Sequence, residues 1–319
     1  MDNPKWRSLC KNNATKKSFS DIEKYDVNAE KLFPLHIPQF LQESINSNDE
    51  NDPILLQVLP QKHELDAVKY YSDDPVGDLI TTPVKGVIHK YHGRVLLITT
   101  GICAVNCRYC FRRNFPYAQN HASKNNWDDA LSYIKSNKDI NEVILSGGDP
   151  LMLSTKVLKK LSNRLEKILH VKTLRIHTRM PIVTPSRITT NFLNWLNNVT
   201  LKKVMVVHCN HANELNQHHM PLFKSIAKTN TLLLNQSVLL KNINDDVEVL
   251  NNLSHRLFDF GILPYYLNQL DKANGTHHFR VTKKEAISIH KQLLQTLPGY
   301  LVPKLVEEIS GKMNKSPMF

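Results

Sequence analysis

The chain has 319 residues, with 41 Lys and Arg against 29 Asp and Glu, and a formal net charge of +12 at pH 7. Because 41% of the residues are hydrophobic, the chain can build a sizeable core, which argues against disorder over its whole length. Its longest apolar runs have the length of strands, whereas a membrane helix needs about 20 apolar residues, so a membrane-spanning protein is excluded. The first residues contain no apolar segment typical of a secretory signal, and we expect a cytoplasmic protein.

The predicted elements fall into two parts. Up to about residue 85 the chain is polar and interrupted by prolines from Pro34 to Pro83, with helical pieces predicted near 20–32 and 61–71. Beyond this point short apolar runs alternate with longer helix-like stretches. The predicted strands are 95–100, 141–145, 173–178, 202–208, 231–238 and 262–267. The predicted helices are 126–137, 155–169, 188–198, 213–228, 245–259 and 282–296.

Six strand–helix units in series predict an α/β fold with a parallel sheet and helices outside it. A complete barrel of eight units needs about 250 residues, and about 220 remain after residue 95, so an incomplete (β/α)6 barrel fits better. We therefore expect three regions: a mainly helical N-terminal extension over 1–85, a partial barrel over 86–300 and a short C-terminal segment over 301–319.

The cysteines carry the strongest chemical signal. There are five, an odd number, and three of them lie within eight residues, which does not fit a disulfide framework and favours a reducing compartment. Cys103, Cys107 and Cys110 directly follow the first predicted strand, at the end of the sheet where such folds place their active sites. Thiolates hold iron–sulfur clusters, and three of them leave one iron of four open to another ligand. A zinc site or three unrelated thiols are the alternatives, while Cys10 and Cys209 read as ordinary small residues.

The C-x3-C-x2-C spacing, with Tyr109 before the last cysteine, resembles the cluster loop of radical S-adenosylmethionine (SAM) enzymes. The stretch 146–151, Ser-Gly-Gly-Asp-Pro-Leu, resembles their glycine-rich SAM motif, in which glycine lets backbone approach a ligand. The resemblance implies the six-unit partial barrel and a 4Fe-4S cluster whose open iron binds SAM. It assigns the cluster to Cys103, Cys107 and Cys110, and SAM contacts to Ser146, Gly147, Gly148, Asp149, His208 and Gln236.

From about residue 60 onward the chain is similar to one branch, the lysine 2,3-aminomutases. The matching stretches are 89–94, 107–113, 176–181, 208–214, 235–240, 265–271, 277–280 and 315–317. The amino-acid sequence of residues 104–113 resembles that of the bacterial branch that supplies β-lysine for modification of elongation factor P by its lysyl ligase, and the short length of the chain is similar to that branch as well. The resemblance implies an isomerase that converts L-lysine to β-lysine, with a flavodoxin- or ferredoxin-like electron donor. It implies no membrane partner and no need for nucleic acid.

Moving an amino group between adjacent carbons requires a second cofactor. Free amines do not migrate easily, whereas an imine next to a carbon radical can, and pyridoxal phosphate (PLP) supplies that imine. The resemblance implies that Lys315 forms the PLP imine, with Lys304 and Lys312 as nearby rivals. It implies that the phosphate is bound by Lys90, Tyr91 and Arg94.

The substrate explains three further residues. The resemblance implies that Arg112 binds the carboxylate of lysine and that Asp271 and Glu308 bind its side-chain ammonium. Two buried carboxylates without a cation would be costly, so this pair favours a cationic substrate. Asn268 stands where longer relatives have a tyrosine near the PLP ring.

Two other interpretations concern metals and nucleic acid. The spacing of His208, His211, His218 and His219 matches no standard zinc set, and the chain lacks the C-terminal zinc segment of longer aminomutases, so we expect no zinc. The alternatives to lysine 2,3-aminomutase are a radical SAM and PLP aminomutase for another amino acid, or a basic RNA-binding protein with a structural metal. The charge of +12 supports the latter, although no focused basic patch is visible.

Overall fold

The computed structural model describes residues 5–9, 19–20, 22–120, 122 and 127–319, so Cys10 lies outside the described residues. These residues form one nine-stranded sheet whose strands neighbour each other in chain order. The strands are β1 (Val87–Tyr91), β2 (Arg94–Thr100), β3 (Glu142–Gly147), β4 (Thr173–Thr178), β5 (Lys202–Val207), β6 (Thr231–Leu239), β7 (Leu263–Gln269), β8 (Lys304–Glu307) and β9 (Ser316–Pro317). Strands β2 to β8 run parallel, and β1 and β9 pair antiparallel at the two edges.

Helices follow most of the parallel strands. The α-helices are α1 (Lys5–Leu9), α2 (Val27–Leu32), α3 (Gln39–Gln42), α4 (Tyr117–Asn120), α5 (Asp128–Ser136), α6 (Thr155–Leu165), α7 (Met180–Val183), α8 (Thr190–Asn198), α9 (His219–Ala227), α10 (Val247–Asp259) and α11 (Lys283–Thr296). Side-chain caps define several starts: Ser154 accepts from Val157 N at α6, and Thr282 forms a capping box with Glu285 at α11.

The prediction of an incomplete α/β barrel is confirmed, because the sheet holds the six expected parallel strands and its edge strands β1 and β9 do not pair with each other. The six strands begin or end within two residues of the predicted limits. The prediction missed β1, β8 and β9, which have five residues or fewer. The helix expected over 213–228 begins only at His219, after a 3-10 turn at Ala212–Glu214.

The region before residue 86 is less helical than predicted. The helix expected near 20–32 is only α2, and the piece near 61–71 is a single 3-10 helix, Lys62–Leu65. Prolines such as Pro34 and Pro53 remove backbone donors and favour the turns found there. This region nevertheless buries apolar side chains, including Ile37, Leu55 and Leu59, in the same core as the strands and helices of the barrel. The division into 1–85, 86–300 and 301–319 stays a prediction.

No helix among the described residues has the length and apolar character needed to cross a membrane.

Candidate active site

A cavity of about 360 Å³ lies against one face of the sheet and reaches the loops that follow β2, β3 and β5. Every residue that the sequence predicted for the site lines it. These residues are Lys90, Tyr91, Arg94, Cys103, Cys107, Cys110, Arg112, Ser146, Gly147, Gly148, Asp149, His208, Gln236, Asp271, Glu308 and Lys315. Residues 225 positions apart in the chain, from Lys90 in β1 to Lys315 just before β9, therefore meet in one place.

The cysteine loop is held in place by the N-terminal region. Asn106 donates its backbone N–H to His36 O at 3.0 Å, and the backbone N–H of Arg108 donates to Gln57 O at 2.9 Å. The guanidinium of Arg108 is fully buried and pairs with Glu64, which is buried as well. Because breaking such a pair would leave a buried charge, the pair fixes the loop between its second and third cysteine.

The three thiols fit an iron–sulfur cluster. Burial raises the pKa of Cys103 well above its usual value, and negative charge on Cys110 and Cys107 raises it further. Burial, with the charge of Cys107, also raises the pKa of Cys110 to about 11. Because negative charge on one of these sulfurs opposes ionisation of the others, a cationic metal centre is what would keep all three ionised. The donor set is the one that iron–sulfur clusters use.

The glycine pair packs against the cysteine loop. Gly147 has φ +118°, and a Cβ at Gly148 would lie 2.4 Å from the carbonyl oxygen of Ile102. Gly148 N donates to Thr100 O at 2.7 Å, which ties the loop after β3 to the end of β2. The atoms nearest to an added Cβ are Thr100 O at Gly147 and Ile102 O at Gly148, so both glycines let the loop after β3 pack closely against the chain that follows β2. Their contact with SAM stays a prediction.

The Asp149 carboxylate has four hydrogen-bond donors of its own. It accepts from Leu151 N at 2.9 Å, from Thr178 Oγ1 at 2.7 Å, from Arg179 N at 2.8 Å and from Met180 N at 3.2 Å. Burial outweighs these bonds and raises its pKa. Asp149 thus holds the loops after β3 and β4 together.

His208, which directly follows β5, lies beside Gln236 of the neighbouring strand β6. Their Nε2 atoms are 3.0 Å apart, and burial lowers the pKa of His208 to about 3. The imidazole is therefore neutral at physiological pH and can accept or donate one hydrogen bond to a ligand.

Arg179 is a site residue that sequence reasoning missed. Its Nη1 lies 2.8 Å from Cys107 Sγ, and its Nη2 donates to Glu214 Oε2 and to Gln57 Oε1, both at 2.7 Å. The guanidinium therefore carries positive charge directly against one predicted cluster ligand. The sequence contains Arg179, Glu214 and Gln57 in three separate stretches, and nothing in their spacing predicts this contact.

The face of β4 that lines the cavity carries unpartnered polar atoms. Arg175, His177 and Arg179 alternate along or directly after this strand, so they point the same way. Arg175 Nε, His177 Nε2 and Arg179 Nε are buried, and among the described residues they have no hydrogen-bond partner. Since buried polar atoms are nearly always hydrogen-bonded, these three mark positions for polar groups of a ligand. The alternation of Arg175 and His177 with apolar residues along β4 is the signal that could have revealed these two.

Lys315 reaches the cavity from the short segment before β9. Its Nζ donates to Asn268 Oδ1 at 2.9 Å and pairs with Glu308 Oε2 at 3.1 Å. Lys304 and Lys312, the rival lysines, are exposed and do not line the cavity. Asn268, at the position where the resemblance implies a tyrosine in longer relatives, thus holds the amino group of Lys315.

The three residues predicted to bind phosphate have unequal surroundings. Lys90 Nζ pairs with Asp78 Oδ1 at 2.6 Å and with Glu308 Oε1 at 3.1 Å. Arg94 stacks over the ring of Tyr91 at 4.7 Å and has no ion pair within the part of the chain that the structure describes. Arg94 therefore keeps its charge for an anion, and the site fits a phosphate group.

Asp78 is a second residue that the sequence did not single out. Its buried carboxylate accepts from Arg112 Nε at 2.7 Å as well as pairing with Lys90. Although burial opposes ionisation, these two cations lower the pKa of Asp78. Only one of the five N–H groups of Arg112 is used in this pair, so the guanidinium can still bind another carboxylate.

Asp271 is an acid without a cation. Its carboxylate lines the cavity and makes no ion pair or side-chain hydrogen bond with any residue in the described ranges. Burial raises its pKa to about 7, against the lowering effect of Lys315, and the neighbouring Glu308 raises it too. Ionising this carboxyl is therefore costly until a positive group arrives.

Comparison with known proteins agrees with this geometry. Residues 97–193 match the Radical SAM superfamily. The chain is 45% identical over 290 residues to L-lysine 2,3-aminomutase of Escherichia coli (strain K12), covering 91% of this chain and 84% of that one. It is 47% identical to the enzyme of the same name from Buchnera aphidicola subsp. Baizongia pistaciae, and the match covers 91% of this chain and 85% of that one. It is 46% identical over 288 residues to the enzyme of the same name from Haemophilus influenzae (strain ATCC 51907 / DSM 11121 / KW20 / Rd), and the match covers 90% of this chain and 85% of that one. The chain belongs to the L-lysine 2,3-aminomutase family.

Family membership confirms several predictions from the sequence. The protein is a radical SAM enzyme of the isomerase class, and the predicted cofactors, a 4Fe-4S cluster, SAM and PLP, are confirmed at the level of the family. The interpretation as a basic RNA-binding protein with a structural metal is wrong in class, because the chain belongs to an enzyme family. Which residue of the L-lysine 2,3-aminomutase fold holds which cofactor remains a prediction.

Proposed function

We propose that this member of the L-lysine 2,3-aminomutase family converts L-lysine to β-lysine by moving the amino group from carbon 2 to carbon 3. The observation that carries the proposal is Asp271, a carboxyl that burial holds near a pKa of 7 in the same cavity as the three thiols and Lys315. A substrate with a positive side-chain end supplies the cation that this carboxyl lacks. Three relatives named L-lysine 2,3-aminomutase support the same substrate.

The residues that would hold the cofactors line the cavity described above. Cys103, Cys107 and Cys110 would bind the cluster, and the backbone at 146–149 with His208 and Gln236 would contact SAM. Lys315, Lys90, Tyr91 and Arg94 would bind PLP. When bound, the cluster with SAM supplies the radical that starts the reaction, and PLP supplies the carbonyl chemistry that lets nitrogen move between adjacent carbons.

Two charged groups would fix the orientation of the substrate. Arg112 keeps free N–H groups for the α-carboxylate, since only its Nε is used by Asp78. Asp271 would take the side-chain ammonium as its counter-ion. A substrate held at both ends has one orientation in the cavity, which is how positioning contributes to rate.

Glu308 links the two ends of this arrangement. One carboxylate oxygen pairs with Lys90 and the other with Lys315. If Lys315 is committed to the cofactor, Glu308 Oε2 loses its partner and becomes available to the substrate ammonium beside Asp271. The pair predicted from the sequence would thus be complete only in the loaded enzyme.

The proposal is tested with anaerobically reconstituted protein, PLP, SAM and a reductant, offered L-lysine, L-norleucine, L-glutamate or L-arginine. L-norleucine is the matched control, because it has the carbon chain of lysine without the ammonium. We expect β-lysine from L-lysine, and strongly reduced turnover of the others. Faster conversion of glutamate or arginine would refute the choice of substrate and support the alternative of an aminomutase for another amino acid.

We also infer the setting of the reaction. The chain is 45% identical to the E. coli relative and 36% identical to the Clostridium subterminale enzyme, which supports the bacterial branch associated with elongation factor P. On this proposal the enzyme works in the cytoplasm, takes electrons from a flavodoxin- or ferredoxin-like protein, and supplies β-lysine to the ligase that modifies elongation factor P. Mass spectrometry of elongation factor P from cells with and without this protein tests it: the β-lysyl mass should disappear without the protein, and its persistence would exclude the role.

A further inference from the structure

A separate group of metal-binding side chains lies outside the cavity. His63 and Asp66 belong to the 3-10 turn at Lys62–Leu65 and its cap, and His277 begins the 3-10 helix His277–Phe279. His63 Nδ1 is 3.5 Å and His277 Nε2 is 3.4 Å from Asp66 Oδ2. The candidate ligand atoms of the three residues all lie within 4.8 Å of one another. We call these three residues the His–Asp cluster.

The two nitrogen–oxygen distances fit coordination better than hydrogen bonding. Both exceed the usual N–H···O range of about 2.7–3.2 Å. Around a tetrahedral zinc ion with bonds of about 2.0–2.1 Å, neighbouring ligand atoms are separated by about 3.3–3.4 Å. The His–Asp cluster therefore already holds two edges of such a tetrahedron at nearly the right length.

Unpartnered nitrogens beside the cluster are a second observation. His277 Nδ1 and both ring nitrogens of His278 are buried, and they have no hydrogen-bond partner among the residues that the structure describes. The ring of His278 lies 6.1 Å from that of His63 and 5.7 Å from that of His277. Three unsatisfied imidazole nitrogens in one place indicate a polar group or ion that the protein atoms alone do not provide.

The backbone around the cluster is already fixed. Arg113 Nη2 donates to Glu64 Oε2 at 2.7 Å, and its Nη1 donates to Gly275 O at 2.9 Å. Glu64 is next to His63, and Gly275 is two residues before His277. One buried guanidinium thus sets the separation of the two segments that carry the ligands, so little ordering is left for a metal to impose.

We propose that His63, Asp66 and His277 bind a divalent transition metal ion, with Zn²⁺ the best match and water in the fourth position. Two imidazoles and one carboxylate are a donor set that zinc accepts, whereas Ca²⁺ and Mg²⁺ prefer oxygen ligands alone. The ion would join residues 62–66 to residues 271–280, the segment that begins with Asp271. The expectation of no zinc concerned other residues: the spacing of His208, His211, His218 and His219, and the C-terminal zinc segment of longer aminomutases. In the structure His211 caps a turn and His219 bonds to Ile182 O.

The test uses protein with its iron–sulfur cluster reconstituted, so that the three thiols are occupied, and Zn²⁺ as the probe. Isothermal titration should give one Zn²⁺ per chain, and the zinc X-ray absorption edge should show imidazole and oxygen ligands without sulfur. His277→Ala and Asp66→Asn should each weaken binding at least tenfold, because even outer-shell changes cost about 10–100-fold in metal affinity. His255→Ala, at an exposed histidine on α10, should bind as the wild type does.

Hydrogen exchange gives a readout that does not depend on activity. Zn²⁺ should slow exchange of the amides in 271–280 in the wild type and in His255→Ala, and leave it unchanged in His277→Ala. Sulfur in the zinc shell, equal affinity of His277→Ala and His255→Ala, or no bound Zn²⁺ at all would overturn the site. Each variant is first checked for unchanged cluster absorbance, and Asp66→Asn replaces His277→Ala in this comparison if the latter does not fold.

Discussion

Replacing Asp271 by Asn should stabilise the substrate-free protein while removing its affinity for lysine. Burial raises the pKa of this carboxyl from 3.8 to about 7. At about 1.36 kcal/mol per pKa unit, the ionised carboxylate costs the folded state about 4 kcal/mol at pH 8.

The sign follows from linkage. Because the folded-state pKa is raised, the stability that the neutral carboxyl contributes is complete below the unfolded value near 3.8 and is lost as pH rises through about 7. At pH 5 the raised pKa of Asp271 costs the folded wild type only about 2 kcal/mol. The gain in free energy of unfolding on Asp271→Asn should therefore be roughly 2–3 kcal/mol larger at pH 8 than at pH 5. This difference is the cleaner quantity, since any packing effect of the amide is the same at both values.

The assay is urea unfolding at pH 5 and pH 8 of cluster-loaded protein without PLP, in which Lys315 keeps its charge. Glu308→Gln is the control that should change stability in the opposite direction. The cations Lys315 and Lys90 lower the pKa of Glu308 against the effect of burial, so removing its negative charge should destabilise the protein. Equal stabilisation by Asp271→Asn at both pH values would refute the reasoning. So would lysine binding in the wild type that does not strengthen as the pH rises from 5 to 7.

Three further outcomes follow from the site. Cys107→Ala should abolish the cluster absorbance near 400 nm after reconstitution, and full retention would contradict its assignment as a ligand. Lys315→Ala should remove the borohydride-reducible PLP adduct, which peptide mapping should find intact in Lys312→Ala; an adduct that survives in Lys315→Ala would place it elsewhere. Gly148→Ala should lower cluster content and stability by about 1–3 kcal/mol, because its Cβ would lie 2.4 Å from Ile102 O; a fully loaded, equally stable variant would contradict this.

Much of the barrel could be predicted from the sequence, because most of its parallel strands contain short apolar runs of strand length bounded by polar stretches. β8 was missed because it has four residues and follows a proline, too short for a pattern. The N-terminal region was predicted as mainly helical although its prolines favour turns, and its part in holding the cysteine loop depends on tertiary contacts.

The candidate site divides in the same way. Residues in contiguous motifs, such as Cys107 and Gly148, could be assigned from the resemblance. Asp78, Gln57 and Arg179 could not, because their roles arise from pairs far apart in the chain: Gln57 and Arg179 are separated by 122 residues. A lone buried acid or arginine has no sequence signature until the fold shows its partner.

The amino shift itself is tested most directly with L-lysine carrying ¹⁵N only at its α-amino group. After anaerobic turnover, nuclear magnetic resonance should find the label on carbon 3 of the product, with the side-chain nitrogen unlabelled. Label that stays on carbon 2, or a product nitrogen drawn from solvent ammonia, would contradict the reaction that this cavity is proposed to carry out.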